Sequence, residues 1–151
     1  MDRSAHFSAQ YTPRPGEPPR VSPEGLIYGT DGKCRWVSES AGLFRSSPRC
    51  LLFTMDERTI SIRQVKGRVR RQDVVHAFSV WVGGQSQPSL RFKDLRTVQL
   101  SGVKSITLNP DKKRIRLGTG WSSFSICAEP EQFEPILAHL SRACPQAPIP
   151  F

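Results

Sequence analysis

The chain lacks most of the features that would assign it a chemistry on sight. It has no CxxC pair: its four cysteines, Cys34, Cys50, Cys127 and Cys144, are scattered. The histidines His6, His76 and His139 are as widely spread, so neither metal-ligand spacing nor a local Cys/His pair supports a metal centre or thiol catalysis. Gly118-Thr119-Gly120 has no following helix or lysine with which to cradle a phosphate. Long apolar runs are missing too. The longest, residues 74–82, covers nine positions and is broken by His76 and Ser79, about half of what a membrane-spanning helix needs. No apolar core follows Met1-Asp2-Arg3 before the prolines, which argues against a secretory signal and for a cytoplasmic protein with reduced, mostly buried cysteines. No catalytic residue, metal or cofactor is assigned, and a non-enzymatic role is the expectation.

What the chain does have is positive charge, unevenly placed. Its 151 residues carry a formal net charge of +9. Residues 1–25 are neutral overall and 129–151 are acidic, so 26–128 hold 18 bases against 7 acids. Such an excess attracts nucleic acid, anionic lipid headgroups or an acidic protein face, or simply keeps a surface solvated.

The ends and the middle read differently. Residues 1–25, with Pro13, Pro15, Pro18, Pro19 and Pro23, are expected to be a disordered, solvated tail, and 145–151 another. Pro15-Gly16-Glu17-Pro18-Pro19-Arg20 has the spacing that SH3-type grooves read, though a plain linker has the same composition. Between the tails, residues 26–144 form the domain. Residues 34–37, 50–55, 59–65, 68–72, 74–82, 95–100, 103–109, 114–117 and 122–127 carry strand signals, with Lys66-Gly67 read as a hairpin turn. Phe133, Ile136, Leu137 and Leu140 fall at helical spacing, with Glu129, Glu131 and Glu134 at the start and Arg142 near the end. This predicts one amphipathic terminal helix, with Pro135 in about its first turn and His139 at its flank. The fold class is mainly β: an antiparallel β-barrel or sandwich of about seven strands closed by that helix.

Phe92-Lys93-Asp94-Leu95-Arg96-Thr97-Val98, the pair of strands around Leu51-Leu52-Phe53-Thr54-Met55-Asp56-Glu57-Arg58-Thr59-Ile60, and Pro130-Glu131-Gln132-Phe133 opening a helix together resemble bacterial pleckstrin-homology-like (PH-like) domains over about residues 49–143. The resemblance implies a non-catalytic binding or assembly module, in some relatives an oligomer. Two departures stand out: many relatives carry transmembrane helices ahead of the domain, and residues 74–88 are longer than a minimal version needs.

The candidate site is basic. Arg58, Arg63, Lys66, Arg68, Arg70 and Arg71 fall in a stretch without a single acid, and a hairpin at Lys66-Gly67 would gather them. Lys66-Gly67-Arg68-Val69-Arg70 is similar to the basic hairpin that holds phosphoinositide phosphates in eukaryotic PH domains. A second cluster, Lys112, Lys113, Arg114 and Arg116, occupies another hairpin. Whether the two share one rim is open at this stage. Guanidinium groups there would offer forked donors to phosphate or carboxylate oxygens, while the plain alternative is a charged edge that resists aggregation. Phe78, Trp81 and Trp121 are candidate partner contacts, core packing being the commoner fate of such residues. The expected function is docking to an anionic surface, lipid headgroups or acidic protein, from the cytoplasm or peripherally at a membrane, with an exposed edge or the 74–82 arm adding as a strand. A nucleic-acid binder is the rival, disfavoured because no RNP-like motif, zinc knuckle or recognition helix is visible. A purely structural homo-oligomer is the other.

Overall fold

The computed structural model describes residues 12–41, 48–67, 69–79 and 90–148. Nine strands and two helices form two antiparallel sheets. Sheet A takes β1 (Arg20–Val21), β2 (Ile27–Tyr28), β3 (Cys34–Ala41), β4 (Pro48–Met55), β5 (Thr59–Val65) and β6 (Phe92–Gln99) in chain order. A single 3-10 turn, Leu100–Gly102, leads into sheet B, made of β7 (Ser105–Asn109), β8 (Arg114–Gly118) and β9 (Ser123–Cys127). Helix α1 (Arg71–Ser79) sits between β5 and β6, and α2 (Pro130–Ala143) closes the order. The sheets do not close into a barrel.

The centre of sheet A is buried on both faces, and β4 shows why its sequence is a near-continuous apolar run. Phe53 and Met55 point into the main core with Trp36 and Ile60 of the same sheet, Ile115 and Leu117 of sheet B, and the α2 residues Ile136 and Leu140. Cys50 and Leu52, one step out of phase, point the other way, onto Val74 and Phe78 of α1. Trp36 stacks on Phe53 with ring centroids 5.3 Å apart. Sheet B lies across sheet A. Ser123, at the start of β9, accepts a hydrogen bond from Arg96 of β6, and Cys127, at its end, accepts one from Trp36 of β3. Four residues of strand span about 13 Å and the three strand spacings from β3 to β6 about 14 Å, so β9 runs nearly at right angles to the strands beneath it.

Several expectations change. Residues 74–79 belong to a helix and not to a strand, and 80–82 lie outside the described residues: α1 occupies 71–79, because Val74 and Phe78, four apart, bury one helical face on sheet A and override their β propensity. Lys66-Gly67 turns the chain with Gly67 at φ +91°, but it makes no hairpin, since β5 pairs with β6 instead. The proline-rich stretch joins the fold before residue 26: Arg20–Val21 pairs with Ile27–Tyr28, and Pro13 and Ser22 are buried. Its PxxP portion is no extended ligand helix; a turn links the Glu17 amide to the Arg14 carbonyl, with Gly16 at φ +88°. At the other end the fold continues past Cys144. Ala147 is buried, and the Gln146 amide donates to the carbonyls of Leu100 and Val103.

Helix α2 has the expected apolar face and starts at a reciprocal cap, in which Glu129 accepts from the Gln132 amide and the Gln132 side chain accepts from the Glu129 amide. Pro135 falls in its second turn, not its first, and the bond it cannot make is to the carbonyl of the exposed Glu131. His139 is not at the flank but buried, with Nε2 3.2 Å from the Tyr28 hydroxyl. Burial, helped by the Arg142 charge, lowers its pKa to about 4. Of the cysteines, Cys34, Cys50 and Cys144 are buried and Cys127 half-buried. Burial pushes the Cys34 thiol up to about 12 and those of Cys50 and Cys144 to about 11, which keeps them protonated and unreactive.

Candidate functional site

The first basic cluster does not assemble. Arg58 lies in the β4–β5 turn and Lys66 just beyond the far end of β5, about 25 Å away along an extended strand. Arg58 borders an open depression of about 310 Å³ with Asp31, Gly32, Asp56 and Glu57, a setting of the wrong sign for an anion. Burial opposes charge on Asp31, yet its bonds to Arg35 and the Lys33 amide hold its pKa below the usual carboxylate range. Arg63 pairs with Asp94 at 3.0 Å, and Arg70 with Glu39 at 3.1 Å. Arg71 is structural: its Nε donates to the Val37 carbonyl and its amide to Glu39. Arg68 lies outside the described residues, as does Trp81. Phe78 is buried beneath α1, so it is no partner contact. Residues 74–79 of the expected strand-adding arm belong to this same helix, and β6, the long edge of sheet A, is protected by a bulge beside Ile62/Arg63 and by Lys93, Asp94 and Arg96.

The second cluster fares differently. Along β8 the alternation is strict: Ile115 and Leu117 point into the core, Arg114 and Arg116 out. Arg116 stands between its cross-strand partners Thr107 and Ser125, and Arg114 between Asn109 and Cys127. The outer face of sheet B is therefore a pair of arginines in a field of small polar side chains, with Ser105 beside Gly118 at one end. Lys112 is exposed in the β7–β8 turn, where its amide donates to the Asn109 side chain. Lys113, at φ +56°, turns away to pair with Glu129 at 3.1 Å. Lys112, Arg114 and Arg116 form no ion pair among the described residues. From Leu95 to Ala128 six bases accompany one acid, Asp111.

Two bases not singled out from the sequence meet the β8–β9 turn at the end of this sheet. Lys104 lays its side chain along Gly120 in the β8–β9 turn, within about 3.6 Å of where a Cβ would be. Arg96 reaches across from β6 to the Ser123 carbonyl at 2.8 Å and the Ser122 hydroxyl at 2.7 Å, with its guanidinium 5.5 Å from the Phe124 ring centre. Between them stands Trp121, 100% exposed. Only tertiary structure brings these three together. Alternation in the Arg114–Leu117 segment, by contrast, was enough to put the two arginines on one face.

Among the described residues no group of three or more His, Cys, Asp or Glu is placed to hold a metal ion, and no helix is long and apolar enough to cross a membrane. Compared with known proteins, the chain matches no family model, no curated protein and no solved structure.

Proposed function

We propose that this chain is a non-catalytic binding module of PH-like architecture that docks to an anionic partner through the outer face of sheet B. The architectural half of this reading is supported by two antiparallel sheets, of six and three strands, with a C-terminal helix packed in the core, a mainly β fold of the expected class though not a closed barrel. The observation that carries the functional half is the exposure of Arg114 and Arg116 on one sheet face, with Lys112 beside them and no carboxylate paired to any of the three among the described residues. Forked guanidinium donors on a shallow polar face suit oxyanions presented from a surface.

Retention on a polyanionic resin tests this. Each base near an anionic surface contributes about 1 kcal/mol, so Arg114→Glu with Arg116→Glu should weaken binding by at least about 2 kcal/mol, roughly thirtyfold, and lower the salt needed for elution. Arg63→Glu with Arg70→Glu makes the same change in net charge at sites already paired with acids, and should do much less. Equal loss in both doubles would mean that net charge alone governs retention and would sink the assignment of this face.

A further inference from the structure

A tryptophan with its whole side chain in water is the least expected feature of the described surface. The other large hydrophobics exposed there, Val21 and Leu95, are 38% and 42% exposed, against 100% for Trp121. The turn that presents it is firmly held. Gly120 takes φ +93°, a conformation that residues with a Cβ rarely adopt, and Thr119 donates both its amide and its hydroxyl to the Ser122 carbonyl, each at 3.0 Å. The turn thus holds the Trp121 backbone at the tip of a sheet, with the indole in solvent. Cations meet the residues on either side of it in the chain: Lys104 lies along Gly120, and Arg96 is anchored on Ser122 and Ser123. Of the acids nearest in sequence to these three residues, Asp94 pairs with Arg63, Glu129 pairs with Lys113, and Asp111 sits in the turn at the opposite end of β8.

Resting on the docking reading above, we infer that the Thr119–Ser122 turn is an interfacial anchor for an anionic phospholipid bilayer, with Trp121 entering the headgroup region while Lys104 and Arg96 face lipid phosphates. An indole with one apolar body and one polar N–H partitions to the membrane–water boundary, and basic side chains beside it add attraction to anionic headgroups. The shape of the site favours a bilayer over the other anionic partners. A single-stranded nucleic acid is held by successive aromatic platforms along a groove, whereas Trp121 is one aromatic on a protruding turn. A protruding apolar tip ringed by bases needs a soft, planar, negatively charged medium to enter.

The test compares the full chain with Trp121→Ala on phosphatidylcholine vesicles with and without phosphatidylserine, and on a single-stranded homopolymer RNA. Full exposure means the substitution removes no packing, so an unchanged thermal midpoint is expected. The anchor predicts binding to phosphatidylserine vesicles only, a blue shift of tryptophan emission that the variant lacks, and roughly tenfold weaker vesicle binding by the variant. If both proteins bind these vesicles equally and without a shift, the anchor is refuted while docking through Arg114 and Arg116 stands. Binding to RNA alone, lost in the variant, would make Trp121 a base-stacking residue and overturn the lipid assignment. If neither vesicles nor RNA are bound, the anchor fails, and resin retention separately decides the docking reading.

Discussion

Lowering the pH from 7.5 to 5 should destabilise this protein through one buried side chain, His139. Its imidazole is 3% exposed, hydrogen-bonded to the Tyr28 hydroxyl and close enough to Arg142 to feel its charge. In the folded state it takes up a proton only at about pH 4, against a reference value of 6.5. The unfolded chain therefore binds a proton in the window between these values that the folded one refuses, and stability falls as pH falls. The loss begins near pH 6.5 and is complete below pH 4, where both states are protonated. Over the whole window it amounts to about 3 kcal/mol, and at pH 5 to about 2 kcal/mol. For a chain of this length, that corresponds to a drop of about 4–8 °C in thermal midpoint.

The assay is a comparison of two pH profiles of thermal unfolding, for the natural chain and for His139→Gln. Glutamine retains an amide able to bond Tyr28 but cannot titrate. Whatever the substitution costs at pH 7.5 is a constant offset. The carboxylates, Asp31 among them, titrate in both proteins and cancel in the difference. The midpoint of the natural chain should fall about 4–8 °C further than that of the variant between pH 7.5 and 5. Parallel profiles would refute the reasoning, because they would mean that the imidazole titrates normally and is not buried against Tyr28.

Three further outcomes follow from the packing and the surface. Gly25→Ala should destabilise by about 1–3 kcal/mol in chemical denaturation, because φ is +90° there and the new Cβ would meet the Arg71 guanidinium at 3.1 Å and the Gln132 amide at 3.2 Å. Phe53→Ala, which removes a fully buried ring stacked on Trp36, should cost about 3–5 kcal/mol by the same measurement. On the surface, Arg114→Glu with Arg116→Glu should lower elution salt on a polyanionic resin while leaving the unfolding free energy within about 0.5 kcal/mol of the natural chain, since both side chains are exposed.

How much of this was legible in the sequence varied with how local the cause was. Helix α2 could be read because its apolar spacing, acidic start and basic end all lie within one segment. The β4–β5 hairpin could be read because Asp56, whose carboxylate accepts from the Arg58 and Thr59 amides, makes its turn locally. Helix α1 could not. Val74, Val75 and Phe78 have strand propensity, and what makes them helical is the apolar outer face of β3 and β4 that they cover. The basic stretch from Arg58 to Arg71 misled for a similar reason. A run without acids reads as a free charge cluster, yet its neutralising carboxylates, Glu39 and Asp94, come from distant strands. Trp121 could be singled out from the sequence but its cationic neighbours could not, because Lys104 meets Gly120 through the β7–β8 pairing and Arg96 reaches Ser122 and Ser123 from the other sheet.

The layering itself directs attention to sheet B. The β3 and β4 strands of sheet A are covered by α1 on one face and by the main core with sheet B and α2 on the other, while β6 at its edge is largely exposed. Sheet B contributes one face to the core and leaves the other to water, as an antiparallel sheet can. Solvation alone would be satisfied there by any polar residues of mixed sign, and serine, threonine and asparagine already supply them. It does not call for Arg114 and Arg116 on the central strand without a carboxylate partner among the described residues, and still less for an exposed indole at the strand's end. Charge that the fold does not neutralise lies on the outer face of sheet B, and apolar surface that it does not bury lies in the turn at the end of that sheet's central strand. Both raise the free energy of the isolated molecule relative to a complex, and an anionic, partly apolar surface relieves both at once.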